Sequence, residues 1–98
     1  MAVLPPKHVY SAIVKNTTNE PININVNYQD AKQQVHNSLL TAQPNGEAKI
    51  EEVTDNQGTW TSVRVIDEIT INGKSLKQPF KNVSGPTRDY VFTFPADF

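Results

Sequence analysis

The sequence predicts an all-β fold, a single antiparallel β-sandwich of seven to eight short strands over residues 8–98, led by an extended arm over residues 1–7. Three observations predict it. The segment Ile22-Asn23-Ile24-Asn25-Val26-Asn27-Tyr28-Gln29 alternates apolar and polar at every position, which is the period of a strand buried on one face. Val, Ile and Thr together number 26, against four Leu, six Ala and one Met. β-Branched side chains are stiff at χ1 and pack well on a pleated surface, so this balance favours strands. Turn formers recur roughly every 8–15 residues, a spacing that suits an antiparallel sandwich, with a closed barrel as the alternative. A parallel sheet would need crossover helices, and no helical period is present.

Element by element, Pro5 and Pro6 keep the start of the chain extended. A first strand is expected over His8–Lys15, apolar on both faces. The run Asn16-Thr17-Thr18-Asn19-Glu20-Pro21 is a loop of turn formers, and the alternating strand Ile22–Gln29 follows it. Asp30-Ala31-Lys32 reads as a turn and Gln33–Ala42 as a third strand. Pro44-Asn45-Gly46 reads as a three-residue hairpin loop, with glycine as the left-handed closing residue. Glu47–Thr54 carries three acidic residues and reads as an edge strand, where charge discourages pairing with a second molecule.

Asp55-Asn56-Gln57-Gly58 is the next expected turn. Trp60–Ile71 is the longest strand-like stretch, with Val63, Val65, Ile69 and Ile71 on one parity. Asp67-Glu68 interrupts it, which marks a bend or a bulge where the strand changes sheet. Asn72-Gly73 is the strongest hairpin signal in the chain and pairs Ile71 with Lys74 and Ile69 with Leu76. Pro79 limits the returning strand, and Val83-Ser84-Gly85-Pro86 is a loop. Arg88–Phe94 is the last strand, with Tyr90, Phe92 and Phe94 on one side and Pro95 ending it. The whole resembles an immunoglobulin-like sandwich in architecture alone, since the chain has no cysteine to supply a Cys…Trp…Cys spacing.

Composition excludes several functional classes. The 98-residue chain has a formal net charge of −1 and no run of three basic residues. Phosphate neutralisation leaves a basic stripe on nucleic-acid binders, so no nucleic-acid partner is expected. No apolar run approaches the roughly 20 residues that span a bilayer, so no membrane partner is expected either. With no cysteines and no basic or apolar leader at Met1–Lys7, a soluble, cytoplasmic domain is the expectation.

No catalytic, metal or cofactor motif emerges. His8 and His36 have no sequence-local partner, and a zinc site needs three or four ligands. Glu51-Glu52 and Asp67-Glu68 are adjacent pairs whose members are expected on opposite faces of a strand, so neither pair converges on one bond. Loop residues Asp30, Asp55 and Asp67 have no calcium-loop spacing. Asn16-Thr17-Thr18 and Asn82-Val83-Ser84 match the glycosylation acceptor pattern. Trp60 is expected in the core. The most unusual local feature is the outward row Asn23, Asn25, Asn27 and Gln29, because asparagine is a poor strand residue. Three in alternation make an uncharged surface rich in donors and acceptors, a candidate contact face. The expected function is therefore a non-catalytic interaction module whose partner is another protein. A carbohydrate- or small-ligand-binding domain and an accessory subunit of an enzyme are the alternatives.

Overall fold

A computed structural model of the chain describes residues 8–29, 35–56, 58 and 61–98. Nine strands run through them: β1 (Ala12–Asn16), β2 (Ile22–Gln29), β3 (Val35–Ala42), β4 (Glu47–Ile50), β5 (Thr54–Asn56), β6 (Thr61–Val63), β7 (Val65–Ile71), β8 (Lys74–Lys77) and β9 (Tyr90–Phe94). They form a three-stranded sheet in the order β4-β1-β9, a four-stranded sheet in the order β3-β2-β7-β8, and a separate β5-β6 hairpin. The two larger sheets pack face to face as a sandwich. None of the described residues is helical, and none lies in a helix long and apolar enough to cross a membrane. Residues 1–7, the turn expected at Asp30-Ala31-Lys32 and Trp60 lie outside the described residues.

The core is what the alternating pattern requires. Ile22, Ile24, Val26 and Tyr28 turn inward from β2, and Ile24 and Val26 are completely buried. They meet Ala12 and Val14 of β1, Ala48 and Ile50 of β4, and Phe92 and Phe94 of β9. Tyr28 spans the interior, and its hydroxyl donates to the Glu51 carbonyl just beyond β4 at 2.9 Å. Burial, and then the Glu51 carboxylate, push the Tyr28 phenol up to about 12 from its ordinary 10.0. Below pH 10.0 both folded and unfolded states are neutral, so this contribution is intact. Between pH 10.0 and about 12 only the unfolded chain ionises there, and stability falls. Urea titrations across this range should show the parent losing on the order of 2 kcal/mol more than Tyr28→Phe. Equal losses in both proteins would place the phenol in water.

Several features depart from the sequence expectation, beginning with the strand count, nine among the described residues rather than seven to eight. The first strand is displaced to Ala12–Asn16, and Val9 forms only an isolated parallel bridge to Thr87. β1 runs antiparallel to β4 but parallel to β9, so the sandwich is not wholly antiparallel. The segment at Pro44 is a turn but not a hairpin. The Gly46 N–H donates to the Gln43 carbonyl at 2.9 Å, and Asn45 rather than glycine takes the left-handed backbone, at φ 57°. This turn carries the chain across the sandwich, from β3 in one sheet to β4 in the other. Asp55 and Asn56 belong to β5 rather than to the expected turn.

The stretch expected as one long strand is two. It changes partner at Arg64, since β6 pairs with β5 and β7 pairs with β2. The bulge lies where Asp67-Glu68 marked it. Asn27 opposes Glu68 and Tyr28 opposes Ile66, which leaves Asp67 as the extra residue. One added residue reverses parity, so Ile66 turns to the core in place of Val65, while Ile69 and Ile71 keep their side.

The Asn72-Gly73 hairpin forms in the expected register, Ile71 opposite Lys74 and Ile69 opposite Leu76. Asn72 and Gly73 have φ of 50° and 78°, the pair of left-handed residues that a type I′ turn requires. Nothing crowds a Cβ built at Gly73, so a side chain there meets only backbone strain. Gly73→Val should therefore lose about 1–3 kcal/mol in denaturant unfolding, and an unchanged midpoint would contradict this turn.

Candidate functional site

The outward side chains of β2 organise a surface that spans the four-stranded sheet. Asn23, Asn25, Asn27 and Gln29 stand opposite the buried Ile24 and Val26, half-buried or exposed. Cross-strand register places Thr41, Leu39 and Asn37 of β3 beside them on one flank. Thr70 and Glu68 of β7 lie on the other flank, and Ser75 and Lys77 of β8 continue the face outward.

These groups bond to one another in a chain running across the strands. The Asn37 amide donates to the side-chain oxygens of Asn25 and Asn27, the latter at 2.7 Å. The Thr41 hydroxyl donates to Asn23 at 3.2 Å. The Asn27 amide in turn donates to Glu68 at 3.3 Å, and Glu68 lies 4.0 Å from the Lys77 ammonium. Thr70 and Ser75 share a hydrogen bond of 2.8 Å. The asparagines are thus held by their neighbours, which restricts their rotamers on a mostly uncharged surface. Leu39 stands among them with 73% of its surface exposed.

The bulge corrects one sequence expectation directly. Adjacent strand residues should face opposite ways, yet Asp67 and Glu68 both reach the outer-face amides. Gln29 donates to Asp67 at 3.4 Å, Gln78 donates to it at 3.0 Å, and Asn27 reaches Glu68. The two carboxylates act here as acceptors that terminate the amide chain. Among the described residues, no three His, Cys, Asp or Glu side chains gather into a metal-ligating group. His36 packs at 5.8 Å from the Tyr28 ring, and His8 lies at 6.2 Å from Tyr10.

The two acceptor patterns for glycosylation separate on burial. Asn82 is exposed, with a left-handed backbone at φ 63°. Asn16 is 1% exposed, and its amide is engaged by the carbonyls of Glu20, Ala42 and Gln43. It is a structural post in the folded domain.

A concavity lies where the edge strands β8 and β9 of the two sheets approach each other. It encloses about 400 Å³, between Leu76 and Lys77 of β8, the Phe80–Asn82 loop, Tyr90–Phe92 of β9 and the turn after β9. Its floor is aromatic. Phe92 packs edge-on against Phe80 at 5.1 Å and against Tyr90 at 4.7 Å. The Tyr90 hydroxyl donates to the Lys81 carbonyl at 2.6 Å. Burial, and then the Asp97 carboxylate, push the Tyr90 phenol above its ordinary range. The sequence carried one signal of this cleft, the shared parity of Tyr90 and Phe92. Phe80 and the approach of the two sheet edges carried none.

Comparison of the chain with protein-family models, curated proteins and solved structures finds no match in any of the three.

Proposed function

We propose that this domain is a non-catalytic interaction module that binds another protein through the outer face of its four-stranded sheet. The observation that carries the reading is Leu39, a large apolar side chain 73% exposed on the edge strand β3, beside the polar, hydrogen-bonded row of β2. An exposed apolar side chain flanked by ordered polar groups fits the mixed make-up of a contact patch. Amides already held in place lose less side-chain freedom when a partner arrives, so less of the contact energy is spent on ordering. Their mixed donors and acceptors suit a polypeptide surface, which presents both. The finer architectural reading is immunoglobulin-like, supported by the division of the main strands into sheets of three and four.

The test replaces Asn23, Asn25 and Asn27 together with threonine. All three are half-buried or exposed, so water can take up the lost bonds, and threonine is the better strand residue. Melting should stay within about 0.5 kcal/mol of the parent, while capture of the partner is lost. A folded triple variant that captures every partner of the parent would remove this face as the interface.

A further inference from the structure

We infer that the cleft between β8 and β9, which adjoins the sheet face at Lys77, is a second site, for a small carboxylate with an apolar tail. Its polar end is read from the backbone. Tyr90 N–H donates to the Ser11 carbonyl at 3.1 Å, and Thr17 N–H donates to the Phe94 carbonyl at 3.0 Å. Tyr90, Phe92 and Phe94 therefore turn their peptide groups toward β1, and the alternate residues Val91 and Thr93 turn theirs to the free edge. Thr93 N–H is already occupied there by a carboxylate, that of Asp97, at 2.7 Å. The protein's own chain thus shows what this edge accepts. Val91 N–H is the equivalent donor one pleat earlier, and Val91 lines the cleft.

Charge agrees with the backbone. Two ammonium groups, Lys77 and Lys81, line the cleft against the single carboxylate of Asp97. Asp97 is satisfied by Thr93, and Lys77 stands 4.0 Å from Glu68. Among the described residues the Lys81 side chain has no acidic partner, so the uncompensated charge at the rim is positive. Leu76, Phe80 and Phe92 supply the apolar part of the lining. The enclosed 400 Å³ equals the volume of about a dozen water molecules, which suits a ligand of about a dozen non-hydrogen atoms. Ligands of that size reach an affinity on the order of a millimolar or tighter.

Decanoate is the probe, with acetate and 1-decanol as controls that lack the tail and the charge. Each is titrated to millimolar concentration into the ¹⁵N-labelled protein and followed by amide chemical shifts. Decanoate should move Val91, Lys81 and their cleft neighbours along a saturating curve, and neither control should saturate. Lys81→Glu should weaken decanoate roughly threefold to tenfold. Ala96→Phe, at an exposed position in the wall, should abolish it by filling the space. Melting temperatures show that both variants fold, and if either does not, the three-ligand series on the parent decides the matter alone. Shifts scattered over the surface, saturation by 1-decanol equal to that by decanoate, or unchanged binding in folded Lys81→Glu would each overturn the inference.

Discussion

Asn16→Asp should destabilise the domain by about 3 kcal/mol or more, although the two side chains have the same shape. Asn16 ends β1 at 1% exposure. Its amide nitrogen donates to the carbonyls of Glu20, Ala42 and Gln43 at 2.7, 3.2 and 3.1 Å. Its oxygen accepts from the Thr18 N–H and hydroxyl at 2.9 and 2.6 Å. Those carbonyls belong to the chain entering β2, at Glu20, and to the end of β3 and the residue after it, at Ala42 and Gln43. One side chain therefore closes two crossings between the sheets. Aspartate would set a charged oxygen against the carbonyls in a site closed to water, leaving them unpaired and the charge unsolvated. For a domain of 98 residues, 3 kcal/mol lowers the melting temperature by roughly 12–24 °C. Acid should restore part of the loss, because the buried carboxyl has a raised pKa and regains its proton first in the folded state. A loss under about 1 kcal/mol, independent of pH, would contradict the role given to Asn16.

Phe92→Ala should lose about 3–5 kcal/mol in urea unfolding, while Val91→Ala should lose less than about 0.5 kcal/mol. Phe92 is 2% exposed and lies against Phe80, Tyr90 and Phe98. Truncation opens a void where both sheets and the C-terminal turn converge. Val91, the next residue on the strand, points outward and is 45% exposed. Comparable losses in the two variants would mean that β9 is placed in the wrong parity.

The fold was legible where a local rule decides the outcome. Period-two alternation placed β2 at its observed limits, because one wrong residue of register would turn all four apolar side chains into water. Asn72-Gly73 fixed its hairpin, because few dipeptides tolerate two left-handed residues. Where the answer depended on distant partners, local pattern was silent. Nothing near Ala12 announces that β1 will lie parallel to β9, 78 residues later at Tyr90. The Pro44 turn has hairpin chemistry, yet β3 and β4 separate because β3 pairs with β2 and β4 pairs with β1 in the other sheet.

The candidate site divides in the same way. The row Asn23, Asn25, Asn27 and Gln29 was legible from alternation. Asn37, Leu39 and Thr41 were not, because their adjacency comes from the β2–β3 register. Asp67 and Glu68 were misplaced by one face, since a bulge marks itself in sequence without stating which neighbour it turns.

The claim that the four-stranded sheet meets a partner through Leu39 is tested most directly by photo-crosslinking in the cells that express the protein. A photoreactive residue at position 39 is compared with one at Lys49, which is exposed on β4 in the opposite sheet. The account predicts one light-dependent adduct of defined mass from position 39, competed by excess unlabelled parent, lost with the triple threonine change and missing from position 49. The same adducts from position 49, or none from position 39, would contradict it.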